Sequence, residues 1–369
     1  MKLDGFKLEV YMCEHEFSAP YLMCCSDCEA MTTRELLSFE PGAEEAFLDS
    51  WLGYTESLGD PQVLEGICKL YETVAPAHVL EHVGAQEAIF NFLNAVLEPG
   101  DHVISMFPNY ESSYSVAKKI GCTVSNWELN QTENGWAISI PRLEKLIKPN
   151  TKVIMLCTPN NPTGYFFSKE EIHAISEIAR RQEIIIFADE VYKGLHFAGE
   201  EPPAFVDVYE NAVSLNVLSK AFGLAGIRIG WIATKNKKIH EAMAMYKHYT
   251  TICSPKPSQF LAVIALKHHE KILDRNRGIV KENLALADTF FEKRKDMFLY
   301  NPPMGGSIGF HKLRGDRDIN KFSKDQVEKS GVLLLPGYVF DYPGNYFRIG
   351  YGRKNFPEVL ERFGEKLHK

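Results

Sequence analysis

The chain has 369 residues, 45% apolar and 24% charged, which are the proportions of a globular protein and exclude a disordered or fibrous one. Lys and Arg number 41 against 48 Asp and Glu, and a net charge of −7 makes a poor electrostatic partner for nucleic acid or an anionic membrane. No stretch approaches the roughly 18 uncharged apolar residues that cross a bilayer.

The opening MKLDGFKLEVYMCEHEF mixes charge with apolar residues and lacks the apolar run of a signal peptide, so a cytoplasmic protein is expected. The first 40 or so residues predict no long helix. They hold Cys25 and Cys28 in a C-x-x-C pair. A zinc site calls for a second pair or for histidines at ligand spacing, and a redox motif calls for a βαβ context. Neither follows, and no metal site is expected. The remaining cysteines are scattered, as in a reduced cytosolic protein.

From residue 100 onward one pattern recurs. Short β-branched apolar runs end in polar or turn residues: HVISMF (102–107), KVIMLC (152–157), EIIIFA (183–188), AVSLNVL (212–218) and IRIGWIA (227–233). Runs apolar throughout suit strands buried on both faces of a mostly parallel sheet. Between two of them SKEEIHAISEIARRQ (168–182) has helical spacing, with Ser168 and Glu171 arranged as a capping box. Strands alternating with helices predict an α/β fold. Long helical material follows residue 255, in which His268 and His269 are expected to face solvent. FPEVLERFGEKLHK closes the chain as an amphipathic helix. The expected division is an N-terminal segment (1–45) of a small domain, a large domain (46–285), and the C-terminal part (286–369) of the small domain.

In open α/β sheets, ligands gather beyond the carboxyl ends of the strands. The runs are followed in turn by Pro108-Asn109-Tyr110, by Thr158-Pro159-Asn160-Asn161-Pro162-Thr163-Gly164, by Asp189-Glu190-Val191-Tyr192 and by Ser219-Lys220. Lys220 stands between apolar NVL and AFGLAG, where an ammonium is costly unless neutralised or bonded. A lysine held as a Schiff base escapes that cost and supports covalent catalysis. Asp189 follows four hydrophobic residues, so its carboxylate needs a cation such as a protonated pyridine nitrogen. Together they suggest pyridoxal phosphate. Each residue alone has an ordinary reading, as a surface lysine, a turn carboxylate, a core tyrosine or a β-turn.

These residues resemble the fold-type I pyridoxal-phosphate enzymes, and within them the class I/II aminotransferases, in blocks from about Tyr54 to Arg348. The resemblance implies a large domain with a mostly parallel seven-stranded sheet and a small α/β domain from both termini. In SKAFGLAGIRIGW (219–231), it implies that Lys220 forms the Schiff base and moves the proton, while Ser219 and Arg228 hold the phosphate. NNPTG implies Asn161 on the ring's phenolic oxygen and the substrate. DEVY puts Asp189 on the pyridine nitrogen and Tyr192 on the phenolic oxygen. VGAQEAI (83–89) resembles the phosphate loop, with Gly84, Ala85 and Gln86 at a helix start. Tyr110 matches the ring that stacks on the pyridine. YTESLGDPQVLEGI (54–67) resembles the segment whose tyrosine, here Tyr54, completes the neighbouring subunit's site in a homodimer. YFRIGYG (346–352) supplies Arg348 for the substrate α-carboxylate, a task suited to a planar guanidinium.

The chain departs from the family in two places. Val217 stands where many relatives carry a phosphate-bonding Ser or Thr. The usual glycine-proline segment near the N-terminus is replaced by PYLMCCSDCEAMTTREL (20–36), which weakly resembles capreomycidine synthase; there Asp27 and Glu29 are candidates to meet a basic substrate side chain or to be solvated loop carboxylates. The expected function is amino-group transfer between an L-amino acid and a 2-oxo acid. The alternative is a lyase or cyclase on the same scaffold. A DNA-binding regulator of related fold is disfavoured by the acidic charge. Gly305-Gly306-Ser307-Ile308-Gly309 lacks the strand–helix frame of a dinucleotide fingerprint.

Overall fold

The computed structural model describes residues 2–132, 135–197, 200–365 and 367. Seven strands form the main sheet: β1 Val79–His82, β2 His102–Phe107, β3 Thr123–Glu128, β4 Thr151–Cys157, β5 Ile185–Asp189, β6 Ala212–Val217 and β7 Gly230–Thr234. Their order is β1-β7-β6-β5-β4-β2-β3. The neighbours from β6 across to β3 run parallel, and β7 runs antiparallel to both β6 and β1. All five apolar runs therefore form strands. Two strands are added to these: the largely exposed edge strand β3, and β1, VLEH, which carries a charge that masks it in the sequence. Its Glu81 is buried and accepts hydrogen bonds from Gln259 Nε2 (3.1 and 3.2 Å) and from the Asp60 N–H (3.2 Å).

Burial on both faces follows from the alternation of each strand. In β4, Ile154 and Leu156 pack with Ile172, Ile175 and Ile178 of the helix Lys169–Arg181, while Val153 and Met155 pack with Phe92 and Leu93 of the helix Ala85–Val96. Each such side chain, fully buried, contributes about 1.5–3 kcal/mol, so helices on both faces fix the sheet. The capping box is present: Ser168 Oγ accepts from the Glu171 N–H (3.2 Å) and Glu171 accepts from the Ser168 N–H (2.8 Å).

The termini come together on a second sheet of β8 Phe298–Leu299, β9 Ile308–Leu313, β10 Leu335–Pro336 and β11 Tyr346–Gly350 in the antiparallel order β8-β9-β11-β10. Tyr21–Leu22 pairs in parallel with Val332–Leu333. The N-terminal segment carries the short helix α1 Lys7–His15, whose Leu8 and Met12 are buried against the core. Two expectations are corrected here. The long helical run breaks at His268 into Lys256–Lys267 and His269–Glu292. His268 does not face solvent: it pairs with Glu40 and meets the Phe39 ring edge-on at 5.5 Å. His269 is likewise half-buried, with Nδ1 2.9 Å from the Leu266 carbonyl.

Candidate active site

The carboxyl ends of β1, β2, β4, β5 and β6 share one edge of the sheet, and the antiparallel β7 starts there. Residues just beyond these ends line a cavity of about 490 Å³. Lys220, Asp189, Tyr192, Asn161, Tyr110, Ala85, Gln86, Ser219, Arg228 and Arg348 all face it. The sequence reading brought these ten together from motifs spread over some 260 positions. Val217 also lines the wall.

Lys220 Nζ lies 2.9 Å from Ser26 Oγ. Burial lowers its pKa from the usual lysine value, opposed by the Asp27 carboxylate. Asp189 is buried, and its Oδ1 accepts from the Val191 N–H at 3.2 Å. Burial pushes its carboxyl up to about 6, against that bond and the Lys220 charge. The Tyr192 hydroxyl is buried without a well-formed hydrogen bond among the described residues.

Arg348, on β11, is 2% exposed. Its Nη1 donates to Asn161 Oδ1 (3.0 Å), its Nη2 donates to the Cys24 carbonyl (2.7 Å), and its Nε has no partner. No carboxylate pairs with it among the described residues. A buried guanidinium without an anion is unstable unless one arrives from the cavity.

At the opposite wall, β1 runs into the helix Ala85–Val96 through Gly84. A Cβ on Gly84 would stand 2.3 Å from Arg228 Nη2, and its φ of +88° suits glycine alone. Arg228, at φ +58°, donates from Nη1 to Ser219 Oγ (3.3 Å) and to the Ala225 carbonyl (3.2 Å). A helix start, a glycine, a hydroxyl and a guanidinium make an anion cradle fit for a phosphate. The unpaired phenol, the buried carboxylate beside a lysine and this cradle match the donors that pyridoxal phosphate requires.

The family model for class I and II aminotransferases matches residues 41–363. The chain belongs to the class I and II aminotransferases.

Among solved structures, this aminotransferase is similar to a PLP-dependent aminotransferase from Streptococcus suis, with 33% identity, a TM-score of 0.94, and 100% and 98% of the two chains covered. It also shares its fold with the PLP-dependent cyclase OrfR, at 23% identity and a TM-score of 0.91, over 100% and 98% of the two chains. Among curated relatives, the aspartate aminotransferase of Thermotoga maritima is 29% identical over 346 residues, covering 89% of this chain and 86% of that one.

Two expected residues of the aminotransferase do not line its own cavity: Gly84, which stands behind the wall against Arg228, and Tyr54, which is 85% exposed. Asp27 and Glu29 are neither on the cavity wall nor free in solvent. Asp27 is paired with Arg353 at 2.7 Å, and Glu29 accepts from the Lys354 N–H at 2.8 Å. Cys25 and Cys28 are buried and unpaired, and burial raises both thiols. No group of residues suited to a metal ion occurs among the described residues, nor a helix long and apolar enough to cross a membrane.

Two polar wall residues escaped the sequence reading, Ser26 and Glu9. Ser26 sits on a strap that replaces the glycine-proline segment. Ser307 Oγ donates to its carbonyl (2.6 Å), and the neighbouring backbone bonds Lys220, Gly350 and Gly352. A Cβ on Gly350 would lie 1.7 Å from the Cys25 carbonyl oxygen, so the strap threads between the Lys220 turn and the end of β11. Glu9 lies on α1, where its Oε1 accepts from the Tyr110 hydroxyl at 2.6 Å. The departure from the family's segment was the available signal for Ser26; Glu9 had none, because one glutamate in a mixed-charge run is unremarkable.

Proposed function

We propose that this aminotransferase uses pyridoxal phosphate to move an amino group between an L-amino acid and a 2-oxo acid, and that it works as a homodimer. The observation that carries this reading is Arg348, buried and without an anion, in the same cavity as Lys220. Bound there, the cofactor supplies an electron sink for the negative charge left when the substrate Cα loses its proton.

The roles of the chain's residues follow from their chemistry. Gly84, Ala85, Gln86, Ser219 and Arg228 hold the phosphate. Asp189 carries the negative charge opposite the ring nitrogen, and Tyr192 and Asn161 direct donors at the phenolic oxygen. The Tyr110 ring covers one face. Arg348, with Asn161, fixes the substrate α-carboxylate and so sets the Cα–H bond where Lys220 reaches it. The depressed pKa of Lys220 favours its free amine, and Nζ takes the Cα proton as general base. Residues 46–285 hold the cofactor in this reading. Residues 1–45 and 286–369, with Ser26 and Arg348, face the substrate.

Tyr54 supports the homodimer. It is exposed with Leu48, Trp51 and Leu52 of its segment, and with Tyr249 and Ile252 of a second segment. Thr55 Oγ1 donates to the Ser254 carbonyl at 3.0 Å, joining the two segments. An apolar surface of this kind suits burial against a second copy, which would carry Tyr54 to the partner's phosphate.

The test is to titrate the cofactor-loaded protein with single amino acids, without oxo acid, and to follow its absorbance and product, with Lys220→Ala as control. One equivalent of oxo acid per site, then arrest, is the expected result. Product that accumulates catalytically without an oxo acid overturns transamination in favour of elimination or cyclisation.

A further inference from the structure

Five charged side chains face the cavity, and the proposed function uses four of them: Asp189, Lys220, Arg228 and Arg348. The fifth is Glu9. We propose that Glu9 is a specificity residue that receives a cationic side chain, ammonium or guanidinium, on the amino-acid substrate. This inference rests on the proposed amino-acid chemistry of the site.

Glu9 is available for that role. Among the described residues no Lys, Arg or His pairs with it, and only its Oε1 is engaged, by the Tyr110 hydroxyl at 2.6 Å. A carboxylate accepts through two oxygens, so Oε2 remains for a ligand. Tyr110 in turn stacks near Phe6, with ring centroids 4.8 Å apart.

Its position is also fixed. The helix that carries it buries Leu8 and Met12, the Lys7 N–H donates to Glu111 (2.8 Å), and Tyr11 Oη donates to the Leu334 carbonyl (3.0 Å). Lys7 also pairs with Asp341. A carboxylate mounted on an anchored helix loses little freedom when a ligand arrives.

On the wall the cations Lys220, Arg228 and Arg348 are assigned to the cofactor and the α-carboxylate, which leaves the field of the Glu9 carboxylate uncompensated. Asp27 is already matched by Arg353. An acidic substrate side chain would enter this field with Arg348 and Arg228 both engaged. A cationic one would relieve it. The cavity thus has a guanidinium for the α-carboxylate and a separate carboxylate for the far end of the substrate. Asp27 and Glu29, the other carboxylates weighed for a basic side chain, are held by Arg353 and the Lys354 N–H.

Glu9 remains partly in water, so the discrimination it supplies is about tenfold rather than the larger factor of a buried pair. The test uses carboxylic acids that lack an α-amine and cannot react: 5-guanidinopentanoate, hexanoate and adipate, each titrated into the cofactor-loaded protein by calorimetry. The guanidino acid is expected to bind about tenfold more tightly than hexanoate, and adipate more weakly than either. In Glu9→Gln the guanidino acid and hexanoate should bind alike. Raising the ionic strength of the wild-type protein should narrow the same ratio, which tests the charge without any variant. A preference for adipate, a ratio near one in the wild-type protein, or a ratio unchanged in Glu9→Gln overturns the proposal. If the binding ratio stands but no amino acid releases an oxo acid, the transamination reading fails while the charge selection survives.

Discussion

Lys220 Nζ lies 2.9 Å from Ser26 Oγ, a contact between residues 194 positions apart in the chain. The strap that brings Ser26 there is held on both sides, by the Cys28 N–H bond to the Lys220 carbonyl (3.2 Å) and the Glu29 N–H bond to the Gly352 carbonyl (2.7 Å). The amine therefore has a fixed hydroxyl beside it. Ser26→Ala removes one hydrogen bond worth roughly 1 kcal/mol. Steady-state kinetics should show kcat lower by about fivefold with KM little changed, and thermal unfolding close to wild type. An unaltered kcat would show that the hydroxyl does not position the amine.

Arg348→Lys keeps the charge but loses the planar fork. The Asn161 and Cys24 bonds occupy the two terminal nitrogens in the ligand-free site, and a single ammonium cannot replace that geometry. A loss of about 2 kcal/mol in substrate binding, roughly 30-fold in KM, is expected. Measurement of KM for an amino acid and its oxo acid checks it, since both carry the α-carboxylate and both should suffer.

The Asp189 carboxyl is raised to about 6 by burial, so in the cofactor-free protein it keeps its proton up to that pH. Its folded value lies above the unfolded one near 4. The carboxyl's contribution to stability is thus complete below about pH 4 and lost as the pH rises through 6. Cofactor affinity has the opposite dependence, because a charged ring nitrogen needs the ionised carboxylate. Equilibrium binding should weaken by up to about tenfold per pH unit below 6, and Asp189→Asn should bind more weakly and lose this inflection.

His311 sits on β9, fully buried, with Nδ1 accepting from the Asn301 N–H (3.1 Å) and Nε2 bonded to Tyr351 Oη (2.6 Å). The proton therefore resides on Nε2. Burial lowers its pKa to about 3, and His82 is lowered to about 4. The unfolded chain binds these protons near pH 6.5, so their contribution is complete above that value and declines as the pH falls toward 3–4. Each histidine should add a slope approaching about 1.4 kcal/mol per pH unit in that window. Urea unfolding across it should show this decline, and His311→Leu should flatten it while lowering stability by about 1–3 kcal/mol at neutral pH, from the orphaned Asn301 N–H.

Five strands of the main sheet were legible because each buries both faces, which writes an apolar run ending near the cavity; the edge strand β3 is largely exposed and writes none. The turn after each run then carries Tyr110, Asn161, Asp189 or Lys220, and chain order alone aligns them on one edge. Strand β1 was hidden because Glu81 interrupts it, and its partners Gln259 and Asp60 lie elsewhere in the chain. The helix α1 was hidden because only Leu8 and Met12 of its nine residues face inward. At the break, His268 pairs with Glu40, a tertiary contact that no local pattern encodes.

The sequence by itself determined the α/β fold, the capped helix after Ser168, and the strand-end side chains Tyr110, Asn161, Asp189, Tyr192, Ser219 and Lys220 of the cavity wall, while the family resemblance added Ala85, Gln86, Arg228 and Arg348. Periodicity and the residues that end each strand are local properties, and local patterns write them directly. Tertiary structure alone decided which carboxylates remain free. Asp27 is matched by Arg353 and Glu29 by the Lys354 backbone, while Glu9 arrives on α1 to face the cavity. It also decided that Ser26 meets Lys220, because the strap is fixed by bonds to the Lys220 turn and to Gly350 and Gly352. The partner of a charged or polar side chain is set by distance in space, and separations of 200 to 300 residues leave no trace of that distance in the sequence.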